Sequence, residues 1–213
     1  MKICQLCAVD FTLKRLIIPL VDAQLNQGHF VKSVCSFGGH LDDLKRKGYK
    51  IEVIPIERNL SPVKGLVSIW RLFLFFRRES FDVVHVHTPV AAFLARIAAF
   101  FARVPLVVYT AHGFYFHDEM PVLKRLIFIS AEIAMRPLTD LLFTQCQEDA
   151  VNAASLKIMN KNRIFCFGNG VDTKRFNPAV KYNIEDLNLP KDKVVIGMVS
   201  RLVQEKGIVE FLD

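Results

Sequence analysis

The chain has 213 residues, of which 52% are hydrophobic, and this composition excludes a disordered protein and allows one well-buried domain with a second begun. Its 28 lysines and arginines against 21 aspartates and glutamates give a net charge of +7, which favours anionic partners such as phosphates, a membrane surface or nucleic acid. No apolar run approaches the roughly 20 residues that span a bilayer, and no secretory signal is visible. The expected location is the cytoplasm, with peripheral contact to the cytoplasmic membrane left open.

Strands and helices alternate along most of the chain. Buried apolar runs predict strands at 3–9, 30–36, 51–56, 83–87, 106–109, 141–144 and 164–167. Apolar residues at helical spacing predict helices at 13–28, 41–47, 63–78, 90–102, 122–135 and 148–157. Short joints between them, several marked by glycine, indicate an α/β fold with a Rossmann-like parallel sheet and helices on both faces.

The last part of the chain predicts the start of a second domain. The first domain is expected to cover residues 1–178, and a mostly polar linker to cover 179–192. A new strand at 194–199 and a helical stripe from Ile208 then begin a domain at 193–213. One strand and one helical turn cannot bury a core of their own, so this second domain is expected to be truncated.

The helix predicted at 63–78 is the most hydrophobic of the chain. Leu66, Ile69, Trp70, Phe73 and Phe76 form one apolar stripe, and arginines flank it. Such a helix suits an anionic membrane surface, but helices that pack on a sheet can be equally apolar. The packed helix is the favoured interpretation.

A histidine and a glycine follow the strand predicted at 106–109. The sequence Thr110-Ala111-His112-Gly113 comes directly after this apolar run, where open α/β sheets hold their ligands. Gly113 allows a sharp turn that brings the backbone close to a substrate. His112 is therefore a candidate site residue, although a hydrogen-bonded structural histidine has the same signature.

Two further histidines, His85 and His87, precede Thr88-Pro89, which suit the cap and first position of the next helix. Together with His112 they give three histidines at the ends of neighbouring strands, a set that can bind zinc. No carboxylate lies at a suitable spacing to support them, so a metallohydrolase is disfavoured.

The five cysteines lie within apolar runs, as expected for buried thiols in a reducing compartment. Cys4 and Cys7 have the spacing of a redox pair but lie in the first strand rather than at a helix start. A redox or metal role for them is disfavoured.

Near residue 213, Arg201 and Lys206 flank a turn that ends at Gly207 and leads into the last helical stripe. A helix start with two cations is a good anion site, especially for a diphosphate. Two solvated surface cations would look the same in the sequence.

Four short stretches follow one another along the chain: residues 83–89 (VVHVHTP), 109–114 (YTAHGF), 168–172 (GNGVD, with Phe176) and 197–207. In order and spacing they resemble the retaining GT-B glycosyltransferases of family 4, in the branch that builds bacterial capsular, exopolysaccharide and other cell-surface glycans. The resemblance covers the whole chain. It implies an acceptor-side domain followed by the start of a nucleotide-sugar-binding domain, facing each other across a cleft.

The resemblance also assigns roles to single residues. His112 matches the histidine beside the donor sugar and reacting centre, and Arg201 with Lys206 matches the pair that neutralises the donor diphosphate. The possible cleft-lining residues are His87, Gly113, Asn169 and Gly170. No metal ion or bound cofactor is expected, since a DxD-like pair is absent from the sequence, and the co-substrate is expected to be a UDP-sugar.

The expected partners are the nucleotide-sugar and a glycan or polyprenyl-diphosphate-linked acceptor, with the inner face of the cytoplasmic membrane possible and nucleic acid excluded.

The chain departs from the family pattern in two places. Residues 10–15 (DFTLKR) stand where the family often has a glycine-rich loop. The paired glutamates of the family, E-x7-E, are missing from residues 1–213, so the chain is expected to be inactive alone.

Three other functions compete with glycosyl transfer. A non-catalytic half of a split transferase, which binds acceptor lipid and a partner chain, fits the same sequence. A dinucleotide oxidoreductase is disfavoured because no G-x-G-x-x-G follows a strand. Nucleic-acid binding is disfavoured because the arginines are dispersed among apolar helices.

Overall fold

The computed structural model describes residues 1–56, 62–117, 119–179, 189 and 192–212. Seven strands form one sheet in the order β3-β2-β1-β4-β5-β6-β7, and each neighbouring pair is parallel. Their bounds are β1 Lys2–Leu6, β2 Phe30–Cys35, β3 Ile51–Val53, β4 Val83–His87, β5 Leu106–Ala111, β6 Leu141–Thr144 and β7 Ile164–Cys166. The predicted Rossmann-like parallel sheet is confirmed.

Helices connect successive strands, as parallel pairing requires. The connecting helices are α1 Asp10–Thr12, α2 Ile18–Asn26, α3 Leu41–Arg46, α4 Pro62–Glu79, α5 Pro89–Ala102, α6 Val122–Met135 and α7 Gln147–Ser155, and a further helix, α8 Ile208–Leu212, follows the last strand. A π-helical segment, Leu13–Ile17, joins α1 to α2, so the helix predicted at 13–28 starts three residues earlier and changes its pitch. Short 3₁₀ segments occur at Arg136–Leu138, Lys161–Arg163 and Gln204–Lys206.

The sheet is covered on both faces, as predicted. One hydrophobic core joins α2, α3 and the π-helical segment to the sheet, with Leu13, Ile17 and Leu44 among its buried residues. The other core joins α4, α5, α6 and α7 to the opposite face, and Leu72 and Phe76 of α4 are buried in it. Both cores lie between helix and sheet, where apolar side chains are removed from water.

Three cysteines are buried and two are exposed, so the expectation of buried thiols is wrong for Cys146 and Cys166. Cys4 and Cys7 lie in different cores, on opposite faces of the sheet. Burial raises the pKa of both thiols far above its ordinary value. These two side chains therefore pack as hydrophobic groups and form no redox pair.

Helix α4 packs on the sheet, as the favoured interpretation predicted, but its predicted stripe is wrong in part. Phe76 is buried, whereas Leu66 and Trp70 are 67% and 60% exposed. The buried face runs instead through Ser68, Leu72 and Phe75. The helix is apolar on two sides, and sequence periodicity alone does not say which side meets the sheet. None of the described helices is long and apolar enough to cross a membrane.

The chain divides into two compact units, Met1–Asn169 and Gly170–Asp213. Most of the predicted linker, 180–188 with 190 and 191, lies outside the described residues. In the second unit, α8 starts at Ile208 as predicted, but the predicted strand at 194–199 is not formed. A strand needs a neighbour for its backbone hydrogen bonds, and no second strand occurs among residues 192–212.

Candidate functional site

Polar side chains collect at one edge of the sheet, where neighbouring parallel strands end. Gln5 belongs to β1, His85 and His87 belong to β4, His112 follows β5, and Gln145 follows β6. The chain passes from β1 outwards to β3 and then returns to the other side of β1 with β4, so the strand order reverses between β1 and β4. Ligands of open α/β sheets bind outside the carboxyl ends of the strands at this point.

Gln5 is completely buried and connects both histidines of β4. It pairs with His85 in the β1–β4 register. Its Nε2 donates to His85 Nδ1 over 3.3 Å and to Gln24 Oε1 over 3.1 Å, while its Oε1 accepts from His87 Nε2 over 2.8 Å. The amide of Gln5 therefore satisfies buried polar groups on two strands at once.

The hydrogen bonds continue from His87 to the edge of the sheet. His87 Nδ1 lies 3.1 Å from His112 Nε2, and His112 Nδ1 lies 2.5 Å from Gln145 Nε2. His85 Nε2 contacts Thr110 Oγ1 at 2.7 Å. The ring centroids of His87 and His112 are 5.3 Å apart, so the two imidazoles are direct neighbours.

Only one arrangement of protons satisfies the bonds between Gln5 and Gln145. An amide oxygen can only accept, so His87 Nε2 carries a proton and donates to Gln5. In the neutral ring His87 Nδ1 is then an acceptor, and His112 Nε2 donates to it. His112 Nδ1 in turn accepts from the amide nitrogen of Gln145. His112 is thus a neutral imidazole with its proton on Nε2 and its lone pair on Nδ1, facing Gln145.

Burial favours the same neutral state. It lowers the pKa of His85 to about 3. Burial also lowers the pKa of His87 well below its ordinary value, and repulsion from His85 and His112 in their protonated forms acts in the same direction. The pKa of His112 is also lowered by burial, although its hydrogen bond to Gln145 acts in the opposite direction. All three rings are neutral near pH 7, which the proton order requires.

The backbone near these histidines adopts positive φ at two positions. Gly113 has φ of +97°, so the sharp turn predicted after His112 is confirmed. Thr88 has φ of +66°, a region that β-branched residues rarely adopt. Thr88 stands at the cap position of α5 but makes no side-chain cap; its Oγ1 accepts instead from the backbone of Ala8, at 3.4 Å. The predicted cap is wrong, whereas Pro89 does occupy the first turn.

Asp10 connects the loops that follow β1 and β2. Its carboxylate accepts from the backbone nitrogens of Phe11 at 2.8 Å and His40 at 2.7 Å. A Cβ at Gly38 would collide with this carboxylate, so the loop after β2 requires glycine there. The segment 10–15, which departs from the resembled family, thus uses its acidic residue to hold two loops together.

The sequence profile described as Glycosyltransferase Family 4 matches residues 14–175, which is about three quarters of the chain. The matched range includes His85, His87 and His112. The chain belongs to glycosyltransferase family 4. The resemblance drawn from four short stretches is thereby confirmed at the level of the family.

Two curated relatives of this family 4 chain are glycosyltransferases by name. The chain is 30% identical over 192 residues to the UDP-Gal:alpha-D-GlcNAc-diphosphoundecaprenol alpha-1,3-galactosyltransferase of Escherichia coli, covering 88% of this chain and 50% of the relative. It is 29% identical over 165 residues to the capsular polysaccharide biosynthesis glycosyltransferase CapM of Staphylococcus aureus, covering 76% of this chain and 43% of the relative. The chain therefore spans half or less of the length of these relatives.

A solved structure shares the fold. The glycosyltransferase from Rickettsia africae ESF-5 superposes with a TM-score of 0.74 at 17% identity, over 98% of this chain and 55% of that one. At this identity the likeness concerns the fold alone. It agrees with the GT-B architecture that the family 4 resemblance implies.

The remaining predicted site residues of this family 4 chain lie where its two compact units meet in sequence, or in the second unit. Asn169 is the last residue of the first unit and Gly170 the first of the second, and both are exposed. Arg201 and Lys206 are exposed residues of the second unit, and Lys206 ends the 3₁₀ turn before Gly207. Their assignment to a donor diphosphate stays a prediction.

The three histidines are arranged for hydrogen bonding. Each of their ring nitrogens lies within hydrogen-bond distance of another side chain: Gln5, Thr110, Gln145 or a neighbouring histidine. Among the described residues no group of three or more His, Cys, Asp or Glu side chains is placed to hold a metal ion.

Sequence reasoning missed Gln5 and Gln145, the two residues that fix the proton order. Gln5 was detectable as an amide in the middle of the otherwise apolar run of β1, since a buried polar residue needs a partner. Gln145 follows a strand as His112 does, but its type carries no signal of its own. That Gln5 pairs with His87, and Gln145 with His112, follows only from the order of the strands in the sheet.

Gln5→Leu is expected to lower the free energy of unfolding by about 2–3 kcal/mol, because it leaves buried groups on His85 and His87 without partners. Urea unfolding at pH 7.5 measures this. The matched control is Gln24→Leu, which removes only one hydrogen bond from the same network at a half-exposed residue and should cost about 1 kcal/mol or less. Equal small losses in both variants would show that Gln5 does not hold the histidines.

Proposed function

We propose that residues 1–213 form the acceptor side, and the start of the donor side, of a glycosyltransferase that moves a sugar from a nucleotide-sugar to a cell-surface glycan or lipid-linked acceptor. Transfer occurs with retention at the anomeric carbon and without a metal ion. The observation that carries the proposal is the family 4 match, which contains His85, His87 and His112 at the carboxyl edge of the sheet.

His112 contacts the donor sugar through Nδ1. Its Nε2–H is engaged by buried His87, whereas its Nδ1 is engaged by the half-exposed Gln145. A sugar hydroxyl that replaces the Gln145 amide donates a hydrogen bond to the same lone pair. His87 then keeps the ring oriented during the exchange, which holds His112 in a productive geometry without a rearrangement of the core.

Arg201 and Lys206 stabilise the departing diphosphate. Two fixed cations compensate the negative charge that develops as the glycosidic bond to the nucleotide breaks. This role rests on the resemblance and on the position of both residues around the 3₁₀ turn Gln204–Lys206.

The donor is a UDP-sugar and the acceptor is carried on a polyprenyl diphosphate. The name of the Escherichia coli relative specifies UDP-Gal as donor and a diphosphoundecaprenol-linked GlcNAc as acceptor, which supports both classes. An acceptor of this kind requires the enzyme to work peripherally at the cytoplasmic membrane.

The test is nucleotide-sugar turnover by the complete reading frame that contains this chain. Several UDP- and GDP-sugars are supplied with a membrane extract, and release of the nucleotide and labelling of lipid are followed. Donor-specific labelling of lipid supports the proposal. No turnover with any donor, together with retained binding to membranes or to a second chain, would favour the non-catalytic half of a split transferase instead.

Lys206→Ala in the same assay is expected to lower kcat/KM by about 10- to 100-fold, because one charge-assisted hydrogen bond to the diphosphate is lost. Lys174→Ala is the matched control, since Lys174 is an exposed lysine of the same compact unit and has no assigned role. Unchanged turnover in the Lys206 variant would remove the diphosphate assignment, whatever the donor proves to be.

A further inference from the structure

The outer side of α4 is apolar from Val63 to Leu74. Val63, Leu66, Val67, Trp70 and Leu74 are all exposed. Their spacing of three and four residues places them on one face of the helix, opposite the side that packs on the sheet. A soluble protein seldom exposes so many large apolar side chains side by side, and such a patch marks a surface that meets an apolar partner.

The charges of α4 are strongly biased. Lys64, Arg71, Arg77 and Arg78 are exposed, and Glu79 is the only acidic residue in the helix. The Glu79 carboxylate forms ion pairs with Lys2, Lys32 and Arg78, and Arg78 also pairs with Glu52. The exposed side of α4 thus combines large apolar residues that include Trp70 with the cations Lys64, Arg71 and Arg77.

A second apolar patch lies on α6. Val122, Leu123, Leu126 and Ile127 are exposed, and Lys124 stands among them. Helix α5 contacts both α4 and α6, and all three cover the same face of the sheet. Helices that return between parallel strands begin at the carboxyl edge, so the first turns of α4 and α6 lie at the edge that carries His112.

We infer that α4 and the first turns of α6 form a docking surface for a bilayer that contains anionic phospholipids. Large apolar side chains with tryptophan enter the boundary between headgroups and acyl chains, and the arginines meet lipid phosphates. The inference extends the proposed function, because a surface at the carboxyl edge brings His112 close to a lipid-linked acceptor. A protein partner would need acidic groups to match these arginines, whereas an anionic bilayer supplies them everywhere.

Trp70 is the only tryptophan of the chain and reports directly on this surface. The 213-residue chain is mixed with vesicles of phosphatidylcholine alone or of phosphatidylcholine with phosphatidylglycerol. The expected result is a blue shift of Trp70 emission and co-sedimentation with the anionic vesicles, and little of either with the neutral ones. An unchanged Trp70 emission with anionic vesicles would overturn the inference.

Two double variants separate the apolar and the charged contributions. Leu66→Gln with Val67→Gln is expected to weaken vesicle partitioning about 100-fold, and Arg71→Gln with Arg77→Gln about 30-fold. The matched control is Leu16→Gln with Arg46→Gln, two exposed residues of the elements on the opposite face of the sheet, which should leave partitioning unchanged.

Equal partitioning of all three double variants would contradict the docking surface. A concentration-dependent dimer that the Leu66 and Val67 substitutions abolish, without vesicle binding by the unsubstituted chain, would identify a second copy as the occupant instead. These vesicles contain neither donor nor acceptor. Failure of docking in an enzyme that still transfers sugar would therefore refute this inference and leave the proposed function standing.

Discussion

His112→Ala in the complete reading frame is expected to lower kcat for glycosyl transfer by about 10²–10³, with a much smaller change in KM. This is the range for the loss of one preorganised hydrogen-bonding group at a reacting centre. The structure supplies the preorganisation, because buried His87 holds His112 Nε2 and leaves Nδ1 at the accessible end of the chain of hydrogen bonds. Steady-state kinetics with the donor found in the screen measure the effect.

Two further variants make this result specific. His112→Asn keeps a side-chain acceptor oxygen and should recover roughly tenfold of the lost rate. His117→Ala removes an exposed histidine from the same loop and should have no effect. Rates for His112→Ala within about threefold of the unsubstituted enzyme, with circular dichroism unchanged, would exclude His112 from the reaction.

Acid is expected to destabilise the fold strongly between pH 7.5 and pH 5, by about 4 kcal/mol. The folded-state pKa values of His85 and His87 lie below the unfolded value of about 6.5, since both rings are buried. Below pH 6.5 the unfolded chain binds protons that the folded chain does not, so the free energy of unfolding falls as the pH falls. Each histidine contributes roughly 2 kcal/mol over this interval.

Urea unfolding at several pH values between 7.5 and 5 tests this, with a variant to assign the slope. His87→Gln should roughly halve the pH dependence, whatever its effect on stability at pH 7.5. The Glu79 carboxylate does not disturb the comparison, because ion pairs lower its pKa to about 2 and the stability that it contributes is lost only below about pH 4.5. A free energy of unfolding that is constant from pH 7.5 to pH 5 would mean that the histidines bind protons equally in the folded and the unfolded chain, so that burial does not lower their pKa.

Local sequence predicts the fold well wherever a pattern repeats. Strand β4, helix α6 and strand β6 begin and end at the predicted residues, because a buried strand and a helix differ in apolar periodicity. The strand predicted at 194–199 is not formed, because a strand depends on a neighbour that its own sequence does not contain. Helix α4 was placed correctly, but with two apolar sides its orientation depended on the packing of the whole layer.

The candidate site was only half visible in the sequence. His112 and Gly113 could be found because a polar pair directly follows an apolar strand. The role of His87 could not, because it depends on Gln5, which is 82 residues away and becomes its neighbour only when β1 and β4 pair. Thr88 shows the same limit, since its side chain contacts Ala8 of the adjacent strand end rather than its own helix.

NMR spectroscopy of the anomeric signals, with the complete reading frame, a UDP-sugar and a polyprenyl-diphosphate-linked acceptor, tests glycosyl transfer most directly. The α-anomeric signal of the UDP-sugar should disappear as free UDP and a new α-glycosidic signal on the acceptor appear together, and only when acceptor is present. A β-glycosidic product would contradict retention. Conversion of the UDP-sugar into an isomer without acceptor, or no change in its signals with any acceptor, would contradict glycosyl transfer itself.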